Sequence, residues 1–178
     1  MIGLKRGTVA LVPHSEKWHV LAAETADLLK EVMGNIALDV QHVGSTSIRG
    51  ICAKPIIDLA VAVKKLDDLF LLIPKLEQRG IVYRKQDVTG QMLFVMGDFD
   101  ADTRTHHIHM VPADSQDWQN YLNFRDYLNA KTEKAMEYEA LKKQLLLQFA
   151  DDRNGYTNGK KELINRLLME AAKWRKLR

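Results

Sequence analysis

The run Ile56-Ile57-Asp58-Leu59-Ala60-Val61-Ala62-Val63 decides the fold. A strand with one wet face alternates polar and apolar residues, whereas this run is apolar at every position but one, so it reads as a central strand covered on both faces. Asp58 is the exception. An ionised carboxylate in such a strand costs several kcal/mol unless it is paired, reached by a solvated cleft, or bound to a cation. The stretch that marks the core therefore also marks a candidate site.

Upstream, residues 36–43 set Ile36, Leu38, Val40 and His42 on one face of a second strand, which Gly44 ends in the hydroxyl-rich turn Gly44-Ser45-Thr46-Ser47. Residues 8–12 read as a short opening strand. Ser15 then reads as the cap of a helix that carries Trp18, Leu21, Ala22, Leu28, Leu29 and Val32 at helical spacing and stops at Gly34. Downstream, residues 66–78 predict a helix that Pro74 kinks or shortens. Residues 81–84, 92–96 and 106–111 predict a three-stranded meander, joined by a turn over 87–90 and by the acidic segment 97–105. From Ser115 onward the pattern is helical, over 118–128, 135–150 and 160–175. The expected product is one α+β domain over residues 1–178: a mixed sheet of about five strands packed by helices, the last three covering one side.

Composition narrows the class. The chain has 178 residues, 46% hydrophobic, and a formal charge of +3 with acids and bases interspersed, so no footprint for duplex nucleic acid stands out. Lys173, Arg175, Lys176 and Arg178 make a basic tail of the kind that complements a helix C-terminus. Cys52 is the lone cysteine, which excludes an intramolecular disulfide and a Cys-based zinc cage and suits the reducing cytoplasm. No run of about 18 apolar residues is present, so no membrane span is expected. Trp174 and the Leu167-Leu168 pair in the helical tail serve equally as core or as the face of a homodimer.

Three features carry candidate chemistry. Gly44, Ser45, Thr46 and Ser47 follow a strand, where backbone N–H groups and hydroxyls converge as they do around a phosphate; the same turn also serves as a plain helix cap. Asp58 is a metal ligand or base, or else it accepts hydrogen bonds from that turn or from Lys54. His107 and His109 share one face of a strand by period 2, and with Asp58 make two imidazoles and a carboxylate, a set that suits a divalent metal; two such histidines also occur as simple polar lining. His42, directly before the turn, is expected near the same cleft. Asp98, Asp100 and Asp102 imitate the start of a calcium loop, but Thr103 stands at its glycine position and His109 at its glutamate position, so a solvated turn is expected.

The string His42-Val43-Gly44-Ser45-Thr46-Ser47, then Gly50, Ala53-Lys54-Pro55-Ile56-Ile57-Asp58, then Arg104 with His107-Ile108-His109 and Phe124-Arg125-Asp126-Tyr127-Leu128, resembles the GrpB family. Tyr138, Leu141-Lys142, Tyr156 and Lys160 extend the resemblance over nearly the whole chain, while Arg49 stands where that family commonly has proline. The resemblance implies a nucleotidyltransferase-like fold in which Gly44 and Ser45 hold a triphosphate and Asp58 sits on the strand that ordinarily supplies paired metal-binding carboxylates. Here the partner positions are Ile56 and Ala60, so a two-metal pair is incomplete.

The leading expectation is metal-dependent nucleotidyl or phosphoryl transfer from a nucleotide or phosphorylated small molecule. In it Lys54 and the turn neutralise phosphates, Mg²⁺ or Mn²⁺ (or Zn²⁺) sits on Asp58 with His107 or His109, Arg125 supports the developing charge, and Lys142 and Lys160 complete a cationic rim. The alternatives are a non-catalytic nucleotide- or phosphometabolite-binding module on a decayed transferase scaffold, and metal-dependent hydrolysis at Asp58, His107 and His109.

Overall fold

The structure, a computed structural model, describes residues 2–85 and 89–178. In chain order its elements begin with β1 (Leu4–Lys5), α1 (Lys17–Met33), β2 (Asp39–Val43), β3 (Ile57–Val63), α2 (Ile73–Glu77), β4 (Val82–Arg84) and β5 (Met92–Met96). They continue with β6 (Thr103–Arg104), β7 (His106–Pro112), α3 (Gln116–Ala130), α4 (Thr132–Gln148), α5 (Arg153–Gly159) and α6 (Lys161–Lys176). Five strands make the main sheet in the order β2-β3-β7-β5-β4, while β1 pairs with β6 in a separate two-stranded ribbon. Strands β3 and β7 run parallel and the other neighbours in the main sheet run antiparallel.

The apolar run over 57–63 is an interior strand covered on both faces, as its composition demands, lying between the edge strand β2 and the middle strand β7. Alternation divides its residues between two layers. Ile57, Leu59, Val61 and Val63 are fully buried against Trp18 and Leu29 of α1, Leu69, and Leu76 of α2. Burying a side chain of that size contributes about 2 kcal/mol. On the other face Ala60 and Ala62 meet Val43, Val111 and Trp118 of α3, and their small side chains let that helix approach closely. Helix α3 is capped by Ser115, whose Oγ accepts from the Trp118 amide at 3.2 Å.

Several expectations are corrected. The opening strand over 8–12 reduces to Val12, which exchanges two backbone hydrogen bonds with Ala53 at 2.9 and 3.0 Å; the N-terminal strand is Leu4–Lys5 instead. Ser15 does not cap α1 with its side chain, and the helix starts at Lys17. Strand β2 begins at Asp39 because Gly34–Ile36 form a 3₁₀ turn. The helix expected over 66–78 divides into a 3₁₀ turn, Leu66–Leu69, and the short α2, with Pro74 in the first turn of α2 where its missing N–H costs least. The meander β4-β5-β7 stands, although the expected turn over 87–90 lies partly outside the described residues at Asp87 and Val88.

The helical C-terminus holds α5 in addition to the three expected helices. Of these elements α3 lies against the sheet, and α4, α5 and α6 build a block beyond it. That block has its own apolar cluster, in which Tyr127, Leu128, Ala135, Tyr138, Leu167 and Ala171 close around Ile48 and Ile51 after the hydroxyl-rich turn. A second small cluster sets Tyr156 against Leu145 and Val9. The block therefore stands over the turn and one end of the sheet instead of covering a sheet face. No helix among the described residues is long and apolar enough to cross a membrane.

Candidate active site

Register places the polar residues of the sheet together. Val43 of β2 is opposite Asp58 of β3, and Asp58 is opposite His107 of β7. His109, two residues on, shares the face. The Asp58 carboxylate Oδ1 lies 3.4 Å from His107 Nδ1 and 3.9 Å from His109 Nε2, and its side chain is 28% exposed. Burial alone would raise this carboxyl, but hydrogen bonding and charge from the two imidazoles outweigh burial and hold it well below the ordinary carboxylate range. Asp58 is therefore ionised at any physiological pH.

Gly44 is required by that carboxylate. Its φ is 69°, a left-handed conformation, and a Cβ built there would lie 2.5 Å from Asp58 Oδ2 and 2.8 Å from Asp58 Cβ. The chain thus turns over the acid with no room to spare, and Ser45–Ser47 make one 3₁₀ turn directly after it. Ser45 Oγ lies 3.2 Å from the Tyr138 hydroxyl of α4, which ties the turn to the helical block.

A cleft of about 560 Å³ opens between this turn, the Asp58 face and α3 to α6, within the range of small-molecule sites. Gly44, Ser45, Lys54, Asp58, His107, His109, Lys142 and Lys160 all line it. Burial pushes the Lys142 ammonium down to about 7, with Lys160 adding like-charge repulsion, although Lys142 Nζ donates to the Cys52 carbonyl. Lys160 is pushed down to about 8 by burial and then by Lys54, and burial followed by the charge of Arg153 lowers Lys54. The Nζ atoms of Lys54 and Lys160 lie 5.0 and 4.7 Å from the centroid of the Tyr156 ring. The Asp58 carboxylate in the same cleft offsets only part of this clustering of desolvated cations, which a bound anion would compensate further.

Sequence reasoning missed part of the wall. Arg153, Tyr121, Tyr138 and Tyr156 also line the cleft. The Tyr156 hydroxyl and His109 Nδ1 are buried with no hydrogen-bond partner. Buried polar atoms are seldom left unpaired, so both have capacity for a ligand. Tyr138 and Tyr156 were visible as parts of the family resemblance, but a lone tyrosine on a helix otherwise reads as core.

Other expected residues lie elsewhere. Thr46 is fully buried, with Oγ1 2.9 Å from His42 Nε2, and Ser47 Oγ donates to the Gly44 carbonyl at 2.6 Å. These hydroxyls shape the turn and do not line the cleft. Arg125 binds α3 to β2 by donating to Gln41 Oε1 at 2.7 Å and to the His42 carbonyl at 3.2 Å, and it donates to Asp126 at 2.7 Å. His42 is turned to the α1 face of the sheet, where its Nδ1 lies 3.3 Å from that of His19, so it does not share the cleft. Of the tail residues, Leu167 is fully buried, Leu168 reaches the cleft and Trp174 packs on Tyr127. Asp98 Oδ1 accepts from the Asp100 and Ala101 amides at 3.0 Å each, the turn expected in place of a calcium loop.

The donor set tests whether a metal fits. Asp58 stands within 4 Å of each imidazole, but the three residues do not close into a set whose donor atoms all lie within 4.8 Å of one another. With Ile56 and Ala60 on either side, Asp58 also lacks the second acid of a two-metal pair. The residues offer Mg²⁺ one oxygen donor, the Asp58 carboxylate, with waters and phosphate oxygens left to complete its shell, whereas a cation that also takes an imidazole would be of the softer Zn²⁺ kind.

The family model described as GrpB protein matches residues 8–170. The chain belongs to the GrpB family. Its relatives include the glutamate-rich protein GrpB of Alkalihalophilus pseudofirmus, 38% identical over 173 residues that cover 96% of this chain and 99% of that one. The crystal structure of GrpB from Enterococcus faecalis superposes with a TM-score of 0.86 at 32% identity, covering 93% of this chain and 99% of that chain. The Cid1 poly(U) polymerase with MgGTP bound superposes with a TM-score of 0.52 at 14% identity, over 83% of this chain and 50% of that one. At that identity the likeness is one of fold alone.

Proposed function

We propose that this GrpB protein binds a nucleoside triphosphate, or a related phosphorylated small molecule, in the cleft and transfers a nucleotidyl or phosphoryl group from it to an acceptor. The observation that carries this reading is the opposition, across one cleft, of Lys54, Lys142, Lys160 and Arg153 to an ionised Asp58 flanked by His107 and His109. The likeness in fold to a polymerase solved with MgGTP supports a nucleoside triphosphate as the ligand.

In this reading the four cations and the amides of Gly44 and Ser45 hold the phosphate chain, and Tyr121, Tyr138 and Tyr156 provide the walls that exclude water. Asp58 would hold Mg²⁺ or Mn²⁺, with His107 or His109 as a further donor for a softer cation, and the metal would supply polarisation of a phosphoryl oxygen. The imidazole left free stands ready to accept the acceptor's proton, oriented by its approach to Asp58. Arg125 acts at one remove by fixing β2 and hence the turn. The absence of a second acid beside Asp58 favours one further reading, a binding module without turnover on the same scaffold.

Calorimetry with ATP and GTP, alongside a pyrophosphate and phosphate release assay with Mg²⁺ or Mn²⁺, separates the two. Transfer predicts release that Asp58→Asn lowers by about 100-fold or more. Tight binding with no release, equally strong in Asp58→Asn, identifies the module, and failure to bind any nucleotide or polyphosphate overturns both.

A further inference from the structure

On the face of the sheet opposite Asp58, a second set of donors converges. One ligand atom from each of His14, Glu16 and His19 lies within 4.8 Å of the other two. His14 Nε2 is 3.4 Å from Glu16 Oε1, and the two imidazole centroids are 5.5 Å apart. His14 Nδ1 and His19 Nε2 are buried without a hydrogen-bond partner. Two orphaned imidazole nitrogens in one small cluster call for a shared partner, since buried polar atoms are almost always satisfied.

We propose that His14, Glu16 and His19 bind a transition metal ion of the Zn²⁺ type, with His42 as the positioning residue. Two imidazoles and a carboxylate are the donors that Zn²⁺ prefers, and Glu16 is exposed enough to leave a fourth position to water. The hydrogen-bond chain behind His19 is consistent with this in every tautomer it requires. If His19 Nε2 gives its lone pair to the metal, its Nδ1 carries the proton and donates to His42 Nδ1, 3.3 Å away. His42 then carries its proton on Nε2 and donates to Thr46 Oγ1 at 2.9 Å. This is the outer shell that orients metal-bound histidines. The neighbouring Arg49 opposes a cation here, and the Glu16 carboxylate compensates it. Thr46 lies next to Ser45, so the second site is joined to the turn that lines the cleft.

The test is titration of chelator-treated protein with ZnCl₂ by calorimetry, with absorption spectra of the Co²⁺ form. Wild type and Asp58→Asn are expected to take up one equivalent with equal affinity at this site. His19→Ala is expected to abolish that uptake, and Glu16→Gln, at an exposed position where the fold is indifferent, to weaken it by tenfold or more. His42→Ala should weaken it by about tenfold to a hundredfold, and His42→Asn, which keeps an acceptor near the place of Nδ1, should restore part of the loss and the Co²⁺ spectrum. Stoichiometric uptake by the Asp58→Asn protein that survives both His19→Ala and Glu16→Gln overturns the proposal, as does loss in Asp58→Asn of the uptake that His19→Ala abolishes, or an apo protein that takes up no metal at all.

Discussion

Strands β3 and β7 carry two opposite chemistries on their two faces. Toward α1 and α2, Leu59, Val61 and Ile108 are sealed in a dry layer, while one residue away Asp58, His107 and His109 open on the cleft under the helical block. The backbone is the same and the hydrogen bonds are the same. What differs is the covering layer: α1 lies flush on its side, whereas α3 meets the sheet at Ala60 and Ala62 and α4 to α6 stand off beyond, leaving a gap lined by cations. A polar cluster in a central strand is thus tolerated because its own side of the sheet is incompletely covered, and the opposite side supplies the stability.

The largest effect expected from that division is on the sealed side. Leu59→Ala should lower unfolding free energy by about 3 kcal/mol through the cavity it leaves, with nucleotide affinity unchanged in the folded fraction, as chemical denaturation and calorimetry would measure. Equal loss from Asp58→Ala would break the comparison, because the open face is expected to supply less stability than the sealed one.

Gly44→Ala comes next. A Cβ pressed onto the Asp58 carboxylate, in a left-handed conformation, should cost about 2 kcal/mol of stability and abolish ligand binding together, since the turn cannot stay over the acid. Retained binding with lowered stability would show that the turn is only a boundary of the cleft.

The smallest effect is on pH. Lys142 and Lys160 have folded values near 7 and 8 against an ordinary 10.5, so between about 7 and 10.5 the unfolded chain binds more protons than the folded one. Stability from these two groups therefore rises with pH across that window and is at its lowest below 7, where both states are charged. Phosphate binding takes the opposite sign, because it needs the ammonium forms: affinity for a polyphosphate should fall several-fold as pH rises from 6.5 to 8.5. In Lys142→Met the affinity should start about tenfold lower, with a shallower decline. A pH-independent affinity in the wild type would place the ligand away from these lysines.

Much of the architecture was legible in local pattern. The apolar run over 57–63, the helical spacing of Trp18, Leu29 and Val32, and the period-2 pair His107 and His109 each specify an element, and the register then brings Asp58 to His107. The terminal strand and the short α5 escaped because two residues of β1 carry no period and the Asp152 cap precedes a segment rich in Asn and Gly. Arg125 and Thr46 have the chemistry of a phosphate site, yet their partners are Gln41, Asp126 and His42.

The sequence by itself determined which strand is covered on both faces, that one acid interrupts it, and that a glycine turn precedes it, because these are properties of neighbours along the chain. Tertiary structure alone decided how the lysines are housed. Lys142, which the family resemblance picked out, is 1% exposed and faces the cleft while the adjacent Lys143 is exposed and paired with Glu139 at 3.1 Å, a difference that helical spacing does not supply. The same holds for His42 and Asp58, which lie in adjacent strands of one sheet and serve opposite faces. A side chain's identity is local, but its charge state and its company depend on which layer closes over it, and that is fixed by packing between residues a hundred positions apart.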